Sequence, residues 1–141
     1  MRIAIGSDDT GALTDALIVE LERRDIAVER FGALRDGSKA WVPAGHAVGQ
    51  AVANGSVDLG IVCCWTGTGV AIAANKVRGV RAALCGDATT AEGARRWNDA
   101  NVLALSLRAT SAAVGTEILA AFLATQPSED PSDRAAIAAL E

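Results

Sequence analysis

The sequence predicts a doubly wound α/β domain, five parallel strands with helices on both faces. Short β-branched or apolar runs alternate with longer helical stretches up to about residue 124, the pattern of repeated βα units. The run Val57-Asp58-Leu59-Gly60-Ile61-Val62-Cys63 has little polar alternation, as a strand covered on both faces should. The length of 141 residues suits one domain, and a chain of that size buries roughly 68–70% of its unfolded surface without staples.

Each element follows in order. Ile3–Gly6 is the first strand, and Thr10–Arg24 a helix with Leu13, Leu17 and Leu21 on one face. Asp25–Phe31 is the second strand, Gly32–Pro43 a loop, and His46–Asn54 a short helix closed by Gly55. After the strand ending at Cys63 comes a glycine turn, Trp65–Gly69, and a helix from Val70 to Asn75. Val80–Cys85 is the fourth strand, Asp87 caps a helix to Trp97, and Asn101–Leu105 is the fifth strand. Thr110 or Ser111 caps a helix to about Ala124. The resulting reading is one Rossmann-like domain over residues 1–126. Residues 127–141 are a polar linker and a small helix from Asp133 to Leu140, which packs either on its own domain or on a neighbouring subunit.

Composition narrows the function classes. Half the residues are hydrophobic, yet no apolar run is long enough to span a bilayer and no signal-peptide region fits the start. The expectation is a cytoplasmic protein without a membrane partner. Net charge is −4 with no basic run, which argues against nucleic acid. Three cysteines and a single His, His46, supply no zinc cluster. Cys63 and Cys64 are adjacent and, on a strand, face opposite ways.

In such folds ligands sit at the carboxyl ends of the strands, near the switch point in strand order. Three segments are expected to meet there: Ser7-Asp8-Asp9, Cys64–Gly69, and the region Trp97–Asn101. Cys64 ends a buried strand just before a helix. Helix N-termini carry partial positive charge and free N–H groups, which favour thiolate and hold an oxyanion or phosphate. The plainer reading is an inert buried thiol beside a tight turn. The turn is neither a P-loop nor a dinucleotide fingerprint, since Gly67-x-Gly69 lacks the third glycine. Asp8 and Asp9 can bind sugar hydroxyls or assist proton transfer, or Asp9 can cap the next helix. Asn98 offers an amide to a hydroxyl, or is ordinary turn chemistry. Arg95 and Arg96 read as a solvated face, Arg108 as an anion ligand or an ion-pair partner, and Trp97 as core filling or a cleft wall.

Four stretches together carry a resemblance. They are Gly6-Ser7-Asp8-Asp9-Thr10-Gly11, the segment Cys64-Trp65-Thr66-Gly67-Thr68-Gly69 with Ala74-Asn75-Lys76, Gly79-Val80-Arg81-Ala82-Ala83, and Asn98-Asp99-Ala100-Asn101-Val102-Leu103. In order and spacing they resemble type B ribose-5-phosphate isomerases and the galactose-6-phosphate isomerase subunits. The resemblance implies aldose–ketose isomerisation of a small sugar phosphate through a cis-enediolate, with Cys64 as base. It implies that Thr66 and the backbone N–H groups of Gly67, Thr68 and Gly69 steady the enediolate. Asp8, Asp9 and Asn98 would bind the sugar, and Arg108 and Arg134 its phosphate. It further implies no metal or organic cofactor, and homodimers or tetramers whose subunits share active sites.

Three positions depart from the pattern. Asp9 and Trp97 stand where the family has histidines, and Trp65 stands where it has glycine. An indole does not titrate near neutrality, so Trp97 cannot open a sugar ring by proton transfer. The resemblance then leaves an open-chain substrate, or an unphosphorylated one. Two other readings stay open: a half-site subunit that needs a related partner chain, and a sugar-phosphate-binding protein without turnover.

Overall fold

A computed structural model describes residues 1–141, every residue of the chain. Five strands form one parallel sheet in the order β2-β1-β3-β5-β4. They are β1 (Arg2–Ser7), β2 (Ala27–Gly32), β3 (Leu59–Cys64), β4 (Ala82–Leu84) and β5 (Val102–Ser106). The helices are α1 (Ala12–Arg23), α2 (Ala33–Asp36), α3 (Trp41–Ala53), α4 (Thr68–Asn75), α5 (Ala88–Asn98), α6 (Ala112–Ala124) and α7 (Pro131–Ala138). The chain reverses its direction of winding between β1 and β3, which places the switch point there.

The alternation of side chains along β3 separates two cores. Leu59, Ile61 and Cys63 join α1, α5 and α6 on one face, while Val62 and Cys64 join α3 and α4 on the other. The opposite orientation expected of the two cysteines is what the structure has. On the second face α3 and α4 approach closely because α3 carries Gly45 and Gly49 four residues apart. A Cβ at Gly45 would lie 2.8 Å from the Val70 carbonyl oxygen, and one at Gly49 would lie 3.0 Å from a Val77 methyl. Caps form as expected at Asp87 and Ser111, which accept from Thr90 N–H and Val114 N–H. Asp9 does not cap α1. Gly11 occupies that position, and its N–H donates to Thr14 Oγ1 at 3.0 Å.

Several boundaries differ from the expectation. The loop after β2 contains α2, and α3 starts at Trp41, since Pro43 sits in its first turn where no N–H is needed. The fourth strand is only three residues long, with Asn75 clamping it through both directions of its amide: Nδ2 donates to Ala82 O at 2.9 Å and Oδ1 accepts from Ala82 N–H at 2.8 Å. The tail folds back on its own domain. Ser128 N–H donates to Arg96 O at 2.7 Å, and Glu141 pairs with Arg81 at 2.7 Å. No helix is long and apolar enough to cross a membrane.

Candidate active site

The carboxyl edge of the sheet assembles the site around the switch point. In the β1–β3 ladder Ser7 pairs with Cys63, so Asp8 and Cys64, one step beyond, stand about 5 Å apart, the spacing of neighbouring strands. Across the other side of β3, Cys64 pairs with Ser106. Backbone bonds tie the turn after β3 to the turn after β5: Leu107 N–H to Cys64 O at 2.9 Å, Arg108 N–H to Trp65 O at 3.0 Å, and Ser106 Oγ to Trp65 O at 2.9 Å.

The turn itself is a left-handed glycine. Gly67 has φ +75°, and its N–H donates to Cys64 O at 3.2 Å. That amide is engaged, so Gly67 is not among the free donors expected of this segment. The donors that remain are the first-turn N–H groups of α4, from Thr68 onward, which have no carbonyl a turn below them. They carry the positive end of the helix dipole. Thr66 and Thr68 are exposed, and their hydroxyls bond one another at 2.7 Å. Gly69 is required small for a different reason: a Cβ there would lie 2.9 Å from the Trp41 ring, which packs over the start of α4. The sequence reading assigned Trp41 no role. Its signal was an aromatic side chain placed just before Pro43 in an otherwise aromatic-poor chain.

The three cysteines differ in surroundings. Cys63 is fully buried, and desolvation, with the nearby Cys64 and Asp8 adding to it, pushes its thiol up to about 12. Cys85 is pushed up to about 11, first by burial and then by the Asp87 charge, and its Sγ–H faces Ala83 O. Cys64 is 5% exposed, packed with Val62, Val70 and Ala71. Its neighbours Trp65 and Thr66, not its thiol, line the two clefts at this edge. Burial raises the Asp8 carboxyl above its ordinary value, a backbone N–H opposes the rise, and the Asp9 charge adds to it. Asp9 is exposed, with Oδ1 accepting from Thr10 N–H at 2.9 Å.

Two clefts flank the turn. One, of about 330 Å³, is lined by Thr66, Gly86, Ser106, Arg108 and Thr110. The other, of about 250 Å³, is lined by Asp9, Thr10, Trp65, Thr110 and Ser111. The Trp65 ring is 65% exposed. Arg108 takes part in none of the chain's ion pairs.

The third expected segment does not join this edge. α5 runs antiparallel to the strands, so Trp97–Asn101 lies at the amino end of the sheet, about 15 Å from the carboxyl edge at 1.5 Å per helical residue. Asn98 is exposed, and Trp97 is 57% exposed beside Gly93, neither core nor a wall of the Asp8–Cys64 site. Arg134 lies at that same end, in a cleft with Asp99 and Glu129. Asp99 adopts φ +44° and is held between Arg81 (3.0 Å) and Arg95 (2.9 Å), while Asn101 bonds Arg81 N–H at 2.7 Å and Gly79 O at 2.8 Å. Of that motif, Asp99 and Asn101 are fasteners and only Asn98 points outward. Arg95 is accordingly not on a solvated face: it is 8% exposed, donates to Ala100 O and lies over the Phe122 ring. Arg96 is exposed, as expected, and His46 lies on the surface. No group of three or more His, Cys, Asp or Glu is placed to hold a metal ion.

Comparison with known proteins accords with this geometry. A family model described as Ribose/Galactose Isomerase matches residues 3–139. The chain is 35% identical over 124 residues to Ribose-5-P isomerase B of Listeria innocua, covering 87% of this chain and 84% of that protein. It is 34% identical over 125 residues to D-erythrulose-4-phosphate isomerase of Pectobacterium atrosepticum, covering 87% and 82%. Its fold is similar to that of Ribose-5-Phosphate Isomerase B of Clostridium thermocellum, with a TM-score of 0.92, 34% identity, and 99% and 95% of the two chains covered. The chain belongs to the ribose/galactose isomerase family and is a sugar-phosphate isomerase.

Proposed function

We propose that this isomerase interconverts an open-chain aldose phosphate and its ketose through a cis-enediolate, with Cys64 as the base. The observation that carries the reading is the juxtaposition of Cys64 with Asp8 across the β1–β3 pair and with the free amides of α4 just beyond it. The Cys64 thiolate takes the proton from the carbon next to the carbonyl, and the electron pair moves onto the carbonyl oxygen. The N–H groups of Thr68 and Gly69 and the Thr66 hydroxyl face the charge that develops there. The thiol then returns the proton to the adjacent carbon. Asp8, whose carboxyl burial raises above its ordinary value, exchanges a proton with the substrate hydroxyls.

Trp97 supports an open-chain substrate, since it supplies no acid for ring opening. A relative is named for D-erythrulose 4-phosphate. A four-carbon ketose with its terminal oxygen esterified has no hydroxyl left to close a five-membered ring, so such a substrate needs no ring-opening acid. Asn98 and Arg134 both lie toward the amino end of the sheet, in separate clefts. They reach a substrate only by insertion from a second copy, so the working unit in this reading is at least a homodimer.

The test is turnover of a panel of tetrose to hexose phosphates by the wild-type chain and Cys64→Ala. The expected result is at least a thousandfold loss in the variant, with solvent deuterium incorporated at the reacting carbon only by the wild type. Equal turnover by both chains would overturn the assignment of the base.

A further inference from the structure

The N–H groups of Thr68 and Gly69 serve a developing oxyanion only if α4 keeps its place along its own axis, and the packing of the helix does little to fix that place. Its N-cap, Gly67, has no side chain to bond the first turn. Ala71, Ala73 and Ala74 are buried beside Val70, on the side where Gly45 and Gly49 of α3 approach. Such small side chains make shallow ridges, which resist sliding weakly. On the outer side Ile72 is 59% exposed, so no neighbour presses from there.

The last residue of the helix supplies what the packing does not. Asn75 Nδ2 donates to Ala82 O at 2.9 Å, and Asn75 Oδ1 accepts from Ala82 N–H at 2.8 Å. Both groups of Ala82 are free to be taken because β4 is an edge strand. Arg81 O accepts from Val102 N–H at 3.3 Å, and Cys85 N–H donates to Ala104 O at 3.1 Å. The residues that alternate with these, Ala82 and Leu84, therefore turn their peptide groups away from β5. The Asn75 amide stands where the peptide of a further strand would. Its anchor is itself fixed, since Asn101 accepts from Arg81 N–H at 2.7 Å and donates to Gly79 O at 2.8 Å. β4 pairs with β5, and β5 pairs with β3 as far as Ser106 and Cys64. The frame that carries the Cys64 thiol thus also grips the far end of α4.

From this we infer that Asn75 is a positioning residue for the isomerisation, acting through α4 rather than on the substrate. Its paired bonds to Ala82 set the axial position of the helix. They thereby set where the first-turn amides, about 10 Å away along the helix, stand relative to β3. Two parallel hydrogen bonds fix orientation as well as distance, which a single bond would not. The inference rests on the enediolate chemistry above for what those amides do, but not on the identity of the base.

The test uses the full chain and the sugar phosphate that the wild type turns over fastest, at a temperature where circular dichroism shows every variant folded. Asn75→Ala removes both bonds. It is expected to lower kcat about ten- to a hundredfold, the scale of a displacement of up to about 1 Å, and to leave KM within about twofold. Asn75→Asp keeps the size and the acceptor but sets a carboxylate oxygen against Ala82 O, and it is expected to be as slow as Asn75→Ala. In proton–nitrogen correlation spectra the Thr68 and Gly69 amides are expected to shift in Asn75→Ala, although they lie about 10 Å from the substitution. Wild-type kcat in either variant, or spectral changes confined to residues 72–84, would overturn the positioning role. If the Thr68 and Gly69 amides shift while the wild type turns over no sugar phosphate, the enediolate reading fails and the grip of Asn75 on the helix stands.

Discussion

Replacing Gly67 by Ala tests whether the turn between β3 and α4 is held where the site needs it. The native φ of +75° is one that L side chains rarely adopt, and a methyl there would lie 2.8 Å from Leu105 C and 2.9 Å from Leu105 O, both backbone atoms. Left-handed backbone at a non-glycine residue costs roughly 1–2 kcal/mol, and forcing atoms into a packed region costs about 1–3 kcal/mol more. We therefore expect a loss of about 2–4 kcal/mol, since relief of one strain partly relieves the other. Unfolding entropy of about 2.1 cal/mol/K per residue gives about 0.3 kcal/mol/K for a chain of this length, so Tm should fall by roughly 7–14 °C. Because β5 cannot yield without disturbing its pairing to β3, the turn must shift instead and take the amides of α4 with it. A displacement of about 1 Å in a reacting geometry can cost roughly a hundredfold in rate. Thermal unfolding by circular dichroism and turnover at a temperature below the new Tm separate the two effects. A variant that melts within about 2 °C of wild type and keeps its turnover would show that the turn tolerates a side chain and that the steric argument is wrong.

Two further outcomes follow from buried charge and buried thiol. Asp99→Ala leaves the nearly buried Arg95 without its carboxylate and should destabilise the chain by about 2–4 kcal/mol, read as a lower urea midpoint at unchanged slope; a midpoint equal to wild type would mean the pair contributes nothing. Cys63, neutral in the fold up to about 12, ionises near 9 once unfolded, so the unfolded chain binds fewer protons between those values and stability falls as pH rises through that window. The thiol's full contribution is present below about pH 9, and at pH 10.5 about 2 kcal/mol of it is lost. Comparing urea unfolding at pH 8 and pH 10.5 for the wild type and Cys63→Ala should show a steeper decline in the wild type, and parallel declines would refute the assignment.

Much of the site was legible before the fold was known, for identifiable reasons. The β3 run announced itself because a strand covered on both faces has no polar alternation. Asp87 and Ser111 were readable as caps because capping is local, a side chain bonding an amide three residues on. Arg95 was misread because its neighbour in sequence, Arg96, is exposed, and nothing local reveals that Arg95 turns inward to Asp99 and Phe122. Gly67 was read as an amide donor, yet its N–H closes the turn onto Cys64 O, which only the backbone path shows.

The sequence by itself determined the residue chemistry: a thiol at the end of a buried strand, a glycine turn behind it, and carboxylates at the end of the first strand. These follow from local rules of periodicity, capping and turn formation. Only the tertiary structure decided which segments share an end of the sheet. A helix between parallel strands must return antiparallel to them, so Asn98 and Arg134 are carried to the edge opposite Asp8 and Cys64. Chain order gives no hint of this, because it depends on groups far apart in sequence being carried to one end of the sheet or the other.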